Sequence, residues 1–258
     1  MAAQQQLLKA EKVSRIFGGL KAVSDVNLEV ADGELVGLIG PNGAGKTTLF
    51  NLLTGVYEPS EGEILFGGSR VNGLKPYQIT KRGAARTFQN IRLFGDMTVL
   101  ENVMVAYNMH ASHGLFSSIF RLPKHFKGEA DMAEKAIEFL KIFKLEGKKD
   151  EIAKNLPYGE QRRLEIARAL AAKPKLLLLD EPAAGMNPQE TVDLMNLIRW
   201  IRDEFKITIL LIEHDMGLVM GVCERIYVLD RGQMIASGTP EQIRTNPKVI
   251  EAYLGQEV

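Results

Sequence analysis

The amino-acid sequence predicts an α/β fold: a mainly parallel core sheet with an antiparallel edge and an inserted helical subdomain. Residues 35–39, 176–179 and 207–212 are nearly continuous apolar runs, the pattern of strands buried on both faces. Each run precedes a segment with helical periodicity, as expected where helices connect parallel strands. Residues 26–30 alternate between apolar and polar side chains instead, which predicts a half-buried antiparallel strand.

The middle of the chain, from residue 91 to residue 156, contains no convincing buried strand. Residues 99–108 and 130–143 show helical periodicity, and a polar, glycine-bearing segment over 111–128 separates them. This texture predicts a helical subdomain inserted into the α/β core of a single domain. The predicted boundaries are 1–90 and 157–258 for the core and 91–156 for the subdomain, within one domain of residues 1–258.

The C-terminal part returns to short strands, over residues 225–228 and 233–236, on either side of Arg231 and Gly232. Two short helices are expected after them. The pair Thr239-Pro240 predicts the start of the first helix, because threonine caps a helix and proline fits its first turn.

Composition excludes several classes of function. Lys plus Arg and Asp plus Glu both number 32, so no positive excess exists to neutralise many phosphates, and a nucleic-acid partner is disfavoured. The single cysteine, Cys223, excludes an internal disulfide and a thiolate metal cluster. The longest uncharged stretch, residues 102–120, is too polar to span a bilayer, and the first residues lack the features of a secretory signal. We therefore expect an intracellular chain.

The strongest motif is a Walker A sequence over residues 40–47, placed after a buried strand and before a predicted helix. Glycines allow backbone N–H groups to surround a phosphate chain, and the helix N-terminus adds positive potential. We expect Lys46 to reach the β and γ oxygens of a bound nucleotide and Thr47 to offer its hydroxyl to Mg²⁺. The predicted nucleotide-binding residues of this motif are Gly40, Pro41, Asn42, Gly43, Ala44, Gly45, Lys46, Thr47 and Thr48.

A second motif, Asp180-Glu181, directly follows the apolar run 176–179. Carboxylates at the end of a buried strand are costly unless a cation or a donor meets them. We therefore expect Asp180 to hold Mg²⁺ through its water shell and Glu181 to orient or deprotonate the attacking water. Together with the Walker A sequence, this motif predicts a nucleotide hydrolase.

Two further residues indicate which class of nucleotide hydrolase this is. His214 follows the run 207–212, so it belongs at the carboxyl edge of the sheet, where ligands collect and an imidazole could bond a γ-phosphate. Gln89 stands between the core and the helical segment, where it could reach the metal or the water. The predicted catalytic residues are Lys46, Gln89, Glu181 and His214, and the predicted metal ligands are Thr47, Gln89 and Asp180.

The sequence Leu-Pro-Tyr-Gly-Glu-Gln-Arg-Arg over residues 156–163 completes a set of motifs that resembles the ATP-binding cassette (ABC) ATPase family. The resemblance extends over essentially the whole chain and implies a P-loop NTPase fold with ATP and Mg²⁺ as cofactors. The motifs occur in the family's order: Walker A at Lys46, Q-loop at Gln89, signature at Gly159, Walker B at Asp180 and switch histidine at His214.

Further roles follow only from this resemblance. Phe17 would stack on adenine, and Tyr158, Gly159 and Glu160 would contact the ATP of a second cassette, because two cassettes pair head to tail in this family. Three residues depart from the family pattern: Pro157 replaces the signature serine, Tyr158 replaces a glycine, and Asn187 replaces the D-loop acid. We therefore expect the half-site that uses this chain's signature to be weaker than the one that uses its Walker A motif.

The finer features are similar to the larger of the two ATPases of a branched-chain amino-acid importer, and the polar segment 111–128 favours the larger type. The resemblance implies a peripheral subunit on the cytoplasmic face of the inner (cell) membrane. Its expected partners are a similar second cassette, two transmembrane permeases and, indirectly, a solute-binding protein. The stretches that carry the resemblance are 86–94, 158–168, 180–185, 212–216, 238–244 and 249–255. Residues expected either to line a groove for a permease helix or to be plain core are Ile91, Leu93, Phe94 and Met97.

Three alternatives stay open. The ATPase of a lipopolysaccharide exporter would share nearly every motif, and a soluble ABC ATPase without permeases would share the nucleotide site. A small P-loop GTPase is disfavoured, because the sequence has no Asn-Lys-x-Asp motif for guanine.

Overall fold

A computed structural model of the chain describes residues 6–107 and 123–254, with side chains described from residue 132 onward in the second range. These residues form two compact units. The first comprises the chain up to Arg86 and from Lys175 onward, and the second is Thr87–Pro174. The contacts thus divide the chain near 86 and 175, whereas the sequence predicted 90 and 157.

Strands belong to the first unit and three of the helices to the second. The strands of the described residues are β1 (Gln6–Phe17), β2 (Leu20–Ala31), β3 (Leu35–Ile39), β4 (Glu61–Phe66), β5 (Ser69–Arg70), β6 (Ala84–Arg86), β7 (Leu176–Asp180), β8 (Thr208–Ile212), β9 (Arg225–Asp230) and β10 (Gln233–Gly238). The α-helices are α1 (Lys46–Leu53), α2 (Pro76–Lys81), α3 (Val99–Tyr107), α4 (Pro123–Ile142), α5 (Tyr158–Ala171), α6 (Pro188–Phe205), α7 (Met216–Val222), α8 (Pro240–Arg244) and α9 (Pro247–Leu254).

The core sheet of the first unit has six strands in the order β10-β9-β3-β8-β7-β6. All neighbouring pairs are parallel except β9 and β10. Every residue of β3, β7 and β8 is buried, which explains their continuous apolar sequences. The predicted mainly parallel α/β core is confirmed.

A second, antiparallel sheet has the order β2-β1-β4-β5. In β2, Val26, Leu28 and Val30 are buried while Asn27 between them is exposed, so the predicted alternation is confirmed. Thr239 caps α8 by accepting a hydrogen bond from the Gln242 backbone, as its sequence position predicted.

The second unit is built from α3, α4 and α5. Helix α3 packs against both of the others, and the predicted inward face of α5 is buried. Because this face packs within Thr87–Pro174, α5 groups with the helical unit, although the sequence analysis assigned residues 157–258 to the core. The buried residues that the sequence predicted for this face are Leu164, Ala167, Leu170 and Ala171.

The polar segment predicted over 111–128 lies outside the described residues up to Pro123, where α4 begins seven residues before the predicted helix start at 130. No helix within 6–107 or 123–254 is long and apolar enough to cross a membrane.

Candidate nucleotide-binding site

The loop between β3 and α1 can be built only with glycines at its two ends. A Cβ on Gly40 would collide with the backbone oxygen of Leu229, and a Cβ on Gly45 would lie 2.6 Å from the backbone oxygen of Ala22. Gly45 also has φ 100°, a conformation that side chains disfavour, at the position that caps α1. The Walker A sequence is therefore folded as a tight loop that opens a helix, as predicted.

The amine of Lys46 is held at this loop. Its Nζ donates hydrogen bonds to the carbonyl oxygens of Gly40 at 2.6 Å and Pro41 at 2.9 Å. Burial lowers the pKa of Lys46, and the negative charges of Glu181 and Asp180 partly oppose that shift. The side chain therefore places a buried cation beside the loop whose geometry suits phosphate.

A cavity of about 390 Å³ lies at this loop, a volume suited to a small-molecule ligand. Its lining includes six residues of the Walker A motif together with Thr48 and Glu181, whereas Gly40 and Pro41 are not among the lining residues. Its lining also includes residues that the sequence reading did not single out, from the β1–β2 hairpin and the β9–β10 turn. The lining residues are Leu20, Lys21, Ala22, Asn42, Gly43, Ala44, Gly45, Lys46, Thr47, Thr48, Glu181, Arg231 and Gly232.

Glu181 occupies a strained position immediately after β7. Its φ is 45°, in the left-handed region, and its N–H donates to the backbone oxygen of Ile212 at 2.9 Å. Non-glycine residues in this region cost roughly 1 kcal/mol or more, and such strain concentrates at functional sites. The turn directs the carboxylate into the cavity, and Nδ1 of His214 lies 3.7 Å from its Oε2.

Asp180 is buried and paired with an arginine that the sequence reading did not identify as part of the site. Arg86 Nη2 lies 2.6 Å from Asp180 Oδ2, and Arg86 Nη1 also donates to Asn51 at 2.8 Å and Thr54 at 3.0 Å. Arg86 thus joins the end of β7 to the C-terminal part of α1. Arg86 opens the stretch 86–94 that carries part of the family resemblance, but its partner Asp180 lies 94 residues further along the chain, so the sequence did not indicate this pair.

The residues predicted to hold Mg²⁺ fit that ion. Magnesium is usually held by one or two carboxylates together with substrate phosphates and water, and Asp180 and the Thr47 hydroxyl supply donors of this kind. Among the residues that the structure describes, no cluster of three or more acidic, histidine or cysteine side chains forms a metal cage. A bound Mg²⁺ would therefore take its remaining ligands from the nucleotide and from water.

Glu213 is a completely buried carboxylate that fastens two loops together. It accepts hydrogen bonds from the backbone of Ala183 at 2.7 Å and His214 at 3.0 Å. Burial raises the pKa of Glu213, and these backbone donors oppose the rise. It therefore positions the segment after Glu181 relative to His214.

The structure places Phe17 in an aromatic cluster and leaves it outside the lining of the cavity. Its ring meets Tyr57 edge to face at 5.2 Å, and the guanidinium of Arg15 lies 4.7 Å from its centre. Phe17 is 36% exposed, so the ring keeps a free edge or face. Its role in adenine stacking stays a prediction.

The predicted residues Gln89, Tyr158, Gly159 and Glu160 belong to the second unit. There, Arg162 of α5 is fully buried and binds backbone oxygens of the loop after β6, those of Phe88 at 2.6 Å and Gln89 at 2.7 Å. Glu165, also buried, pairs with Arg162 at 2.8 Å and accepts from the Arg92 backbone at 3.0 Å. The signature helix therefore clamps the Q-loop through a buried ion pair.

The departures from the family pattern have local structural consequences. Pro157 stands at the N-cap of α5 without a capping side chain, and the Tyr158 hydroxyl accepts a hydrogen bond from Arg162 at 3.1 Å. Asn187 caps α6 in a reciprocal capping box with Glu190. Asn187 therefore has a structural role as a helix cap, at the position where the family pattern has the D-loop acid.

The fold and the cavity define a P-loop nucleotide-binding protein. The model of the ABC transporter family matches residues 23–184, and a model of the branched-chain amino acid ATP-binding cassette transporter matches residues 233–258. The chain therefore belongs to the ABC transporter family, as an ATP-binding cassette.

Relatives and solved structures agree with this assignment. The chain is 50% identical to the high-affinity branched-chain amino acid transport ATP-binding protein LivG of Escherichia coli strain K12, over 98% of this chain and 99% of that protein. It is 48% identical to BraF of Pseudomonas aeruginosa, of the same description, over 97% and 98%. The crystal structure of the ADP conformation of an ATP-binding cassette of an ABC transporter aligns with a TM-score of 0.83 and 34% identity, covering 97% of this chain and 99% of that one.

Proposed function

We propose that this chain hydrolyses ATP as the motor subunit of an importer for branched-chain amino acids. The observation that carries the proposal is one cavity in which the phosphate-binding loop, Lys46 and the strained Glu181 come together. The relatives named above support the transported class. The lipopolysaccharide-export ATPase LptB of Haemophilus influenzae is 36% identical and is therefore not favoured.

The residues divide the chemistry among them. The loop N–H groups and Lys46 bind the β and γ phosphates, and His214 orients the γ-phosphate. Glu181 accepts a proton from water as the water oxygen bonds to the γ-phosphorus and the bond to the β–γ bridging oxygen breaks, which leaves ADP and phosphate. Thr47, Gln89 and Asp180 would hold Mg²⁺, which when bound would neutralise charge on the phosphate oxygens.

The proposed partners are a second cassette and two membrane permeases on the cytoplasmic face of the membrane, with a solute-binding protein acting through them. Residues Ile91, Leu93, Phe94 and Met97 are each partly or well exposed, which supports a docking role over plain core. Asn102, which is buried, holds the Phe94 backbone through hydrogen bonds of 3.0 and 3.1 Å. A loop fixed in this way suits the transfer of motion to a permease helix.

Reconstitution tests this function. The chain, a second cassette and the candidate permeases are assembled in vesicles with ATP inside, and uptake of radiolabelled leucine is followed with the solute-binding protein outside. We expect uptake with wild type and none with Lys46→Ala, while Lys248→Ala, at an exposed lysine of α9, retains it. An ATPase rate that is the same with and without the permeases and leucine would contradict the importer assignment.

A further inference from the structure

The turn between β9 and β10 is held against the phosphate-binding loop by backbone hydrogen bonds. Gly232 donates its N–H to the Ala44 oxygen at 2.9 Å, and Ser24 donates to the Gly232 oxygen at 2.8 Å. A Cβ on Gly232 would lie 2.8 Å from the backbone oxygen of Ala22. The turn is therefore a fixed wall of the nucleotide cavity, and Arg231 stands at its tip.

Arg231 adopts a conformation that its residue type disfavours. Its φ is 45°, the value that Glu181 also shows, and both residues line the cavity. Glycine or asparagine would occupy such a turn position at a lower conformational cost. A favourable contact between the arginine side chain and a ligand in the cavity would offset this cost.

The guanidinium group of Arg231 differs from the other cations of the cavity in its neighbours. Lys46 is bonded to the loop carbonyls, and Lys21 lies 3.6 Å from Glu61. Among the side chains described, those of residues 6–107 and 132–254, no carboxylate lies within ion-pair distance of Arg231, and its side chain is exposed at the cavity rim. Its charge is available for an anionic ligand.

We propose that Arg231 is a nucleotide-binding residue that contacts the anionic oxygens of the phosphate chain, a role that rests on ATP binding in this cavity. A planar guanidinium makes paired, charge-assisted hydrogen bonds to phosphate oxygens. Because the backbone of the turn is hydrogen-bonded to the phosphate loop itself, the Cα of Arg231 is held beside that loop and its side chain starts from a fixed position.

Equilibrium binding of ATP, ADP and adenosine tests this role. We compare wild type with Arg231→Asn and Arg231→Gly, both of which suit the turn, and with Arg231→Lys, which keeps the charge. The control is Arg244→Asn, which removes the same charge from the exposed end of α8. Melting temperatures confirm that the variants fold, and we expect both turn-compatible variants to melt at or above the wild-type temperature.

We expect Arg231→Asn and Arg231→Gly to bind ATP and ADP about tenfold more weakly, with adenosine binding unchanged and a loss smaller in Arg231→Lys. Arg244→Asn should bind all three like wild type. Unchanged ATP affinity in the Arg231 variants, or an equal loss for adenosine, would overturn the inference. A wild-type chain that binds no ATP would instead overturn the proposed function.

Discussion

Each unit of the molecule contains a buried arginine–carboxylate pair, and the two pairs differ in what the carboxylate is needed for. In the first unit, Arg86 pairs with Asp180, the predicted metal ligand. In the second, Arg162 pairs with Glu165, and both side chains bind only protein groups, largely the backbone of the Q-loop. We expect the Asp180 carboxylate to exchange its arginine partner for a metal ion during function. The Glu165 carboxylate is expected to keep the same partners throughout.

The two pairs therefore have different roles: one holds a carboxylate that is expected to take part in catalysis, and the other holds a loop in place. A buried ion pair adds little net stability, but the removal of one partner is strongly destabilising. The Arg162–Glu165 pair can therefore hold the Q-loop in one geometry without changing its own contacts during the reaction. The Arg86–Asp180 pair holds the carboxylate in one orientation, in which we expect it to meet a divalent cation.

The largest effect is expected for Arg162→Met, which leaves the Glu165 charge buried without its counter-ion. We expect a loss of about 3–5 kcal/mol in the free energy of unfolding, measured with urea. The double variant Arg162→Met/Glu165→Leu should recover part of this loss, because it removes the uncompensated charge.

Hydrogen exchange sharpens the same test. Arg162 binds the carbonyl oxygens of this loop, and Glu165 accepts from the N–H groups of Phe88 and Arg92. Exchange of these N–H groups should therefore quicken in the single variant and further in the double variant. A double variant no more stable than the single one, or with a Q-loop protected as in wild type, would contradict the role of the pair as a clamp.

A smaller effect, which depends on the ligand, is expected for Arg86→Met. Without nucleotide, the loss of the Asp180 counter-ion should cost about 2–4 kcal/mol. With saturating Mg²⁺ and ADP, we expect this difference from wild type to shrink by at least half, because the cation then compensates the carboxylate.

The control for Arg86 is the other pair. The destabilisation by Arg162→Met should change much less on addition of Mg²⁺ and ADP, since neither member of this pair is a predicted ligand of the metal or the nucleotide. If Arg86→Met lowers the free energy of unfolding by the same amount with and without Mg²⁺ and ADP, the idea that Asp180 exchanges partners is refuted.

The smallest effect concerns Glu213, a buried carboxylate that is held by backbone N–H groups. Because its pKa is raised in the folded chain, its contribution to stability is largest at acidic pH and falls as pH rises above about 4.3 through the raised pKa. Glu213→Gln abolishes this titration and replaces one acceptor by a donor, at a cost of about 1–2 kcal/mol.

Unfolding of the Glu213→Gln variant and wild type is compared from pH 5 to pH 8. The wild type should exceed the variant in stability most at pH 5 and by less at pH 8. A difference that grows with pH would show that the sign of the shift is wrong.

The sequence predicted what local patterns determine. The Walker A loop, the strand before it and the helix after it are neighbours along the chain, and Glu181 follows a buried strand directly, so their placement follows from the topology of a parallel sheet. The ends of β7 and β8 bring Glu181 and His214 together for the same reason.

The sequence could not predict contacts that depend on distant partners. Arg162 and Glu165 are spaced like an ordinary exposed helix pair, and only the Q-loop, more than 70 residues earlier, explains their burial. Arg86 is paired across 94 residues. The contact-based division falls near 175, whereas the predicted boundary is 157. The two differ because α5 packs against α3 and α4, partners that the periodicity of α5 alone does not identify.

The central claim is that Glu181 activates water in a cavity that binds ATP independently of it. Its most direct test measures phosphate release and ATP affinity of wild type and Glu181→Gln in the same preparation. The affinity of Glu181→Gln for ATP should stay within about twofold of wild type, while its turnover should be at least about 100-fold lower. Undiminished turnover in Glu181→Gln would contradict this claim, and so would a variant that lost hydrolysis only because it no longer bound ATP.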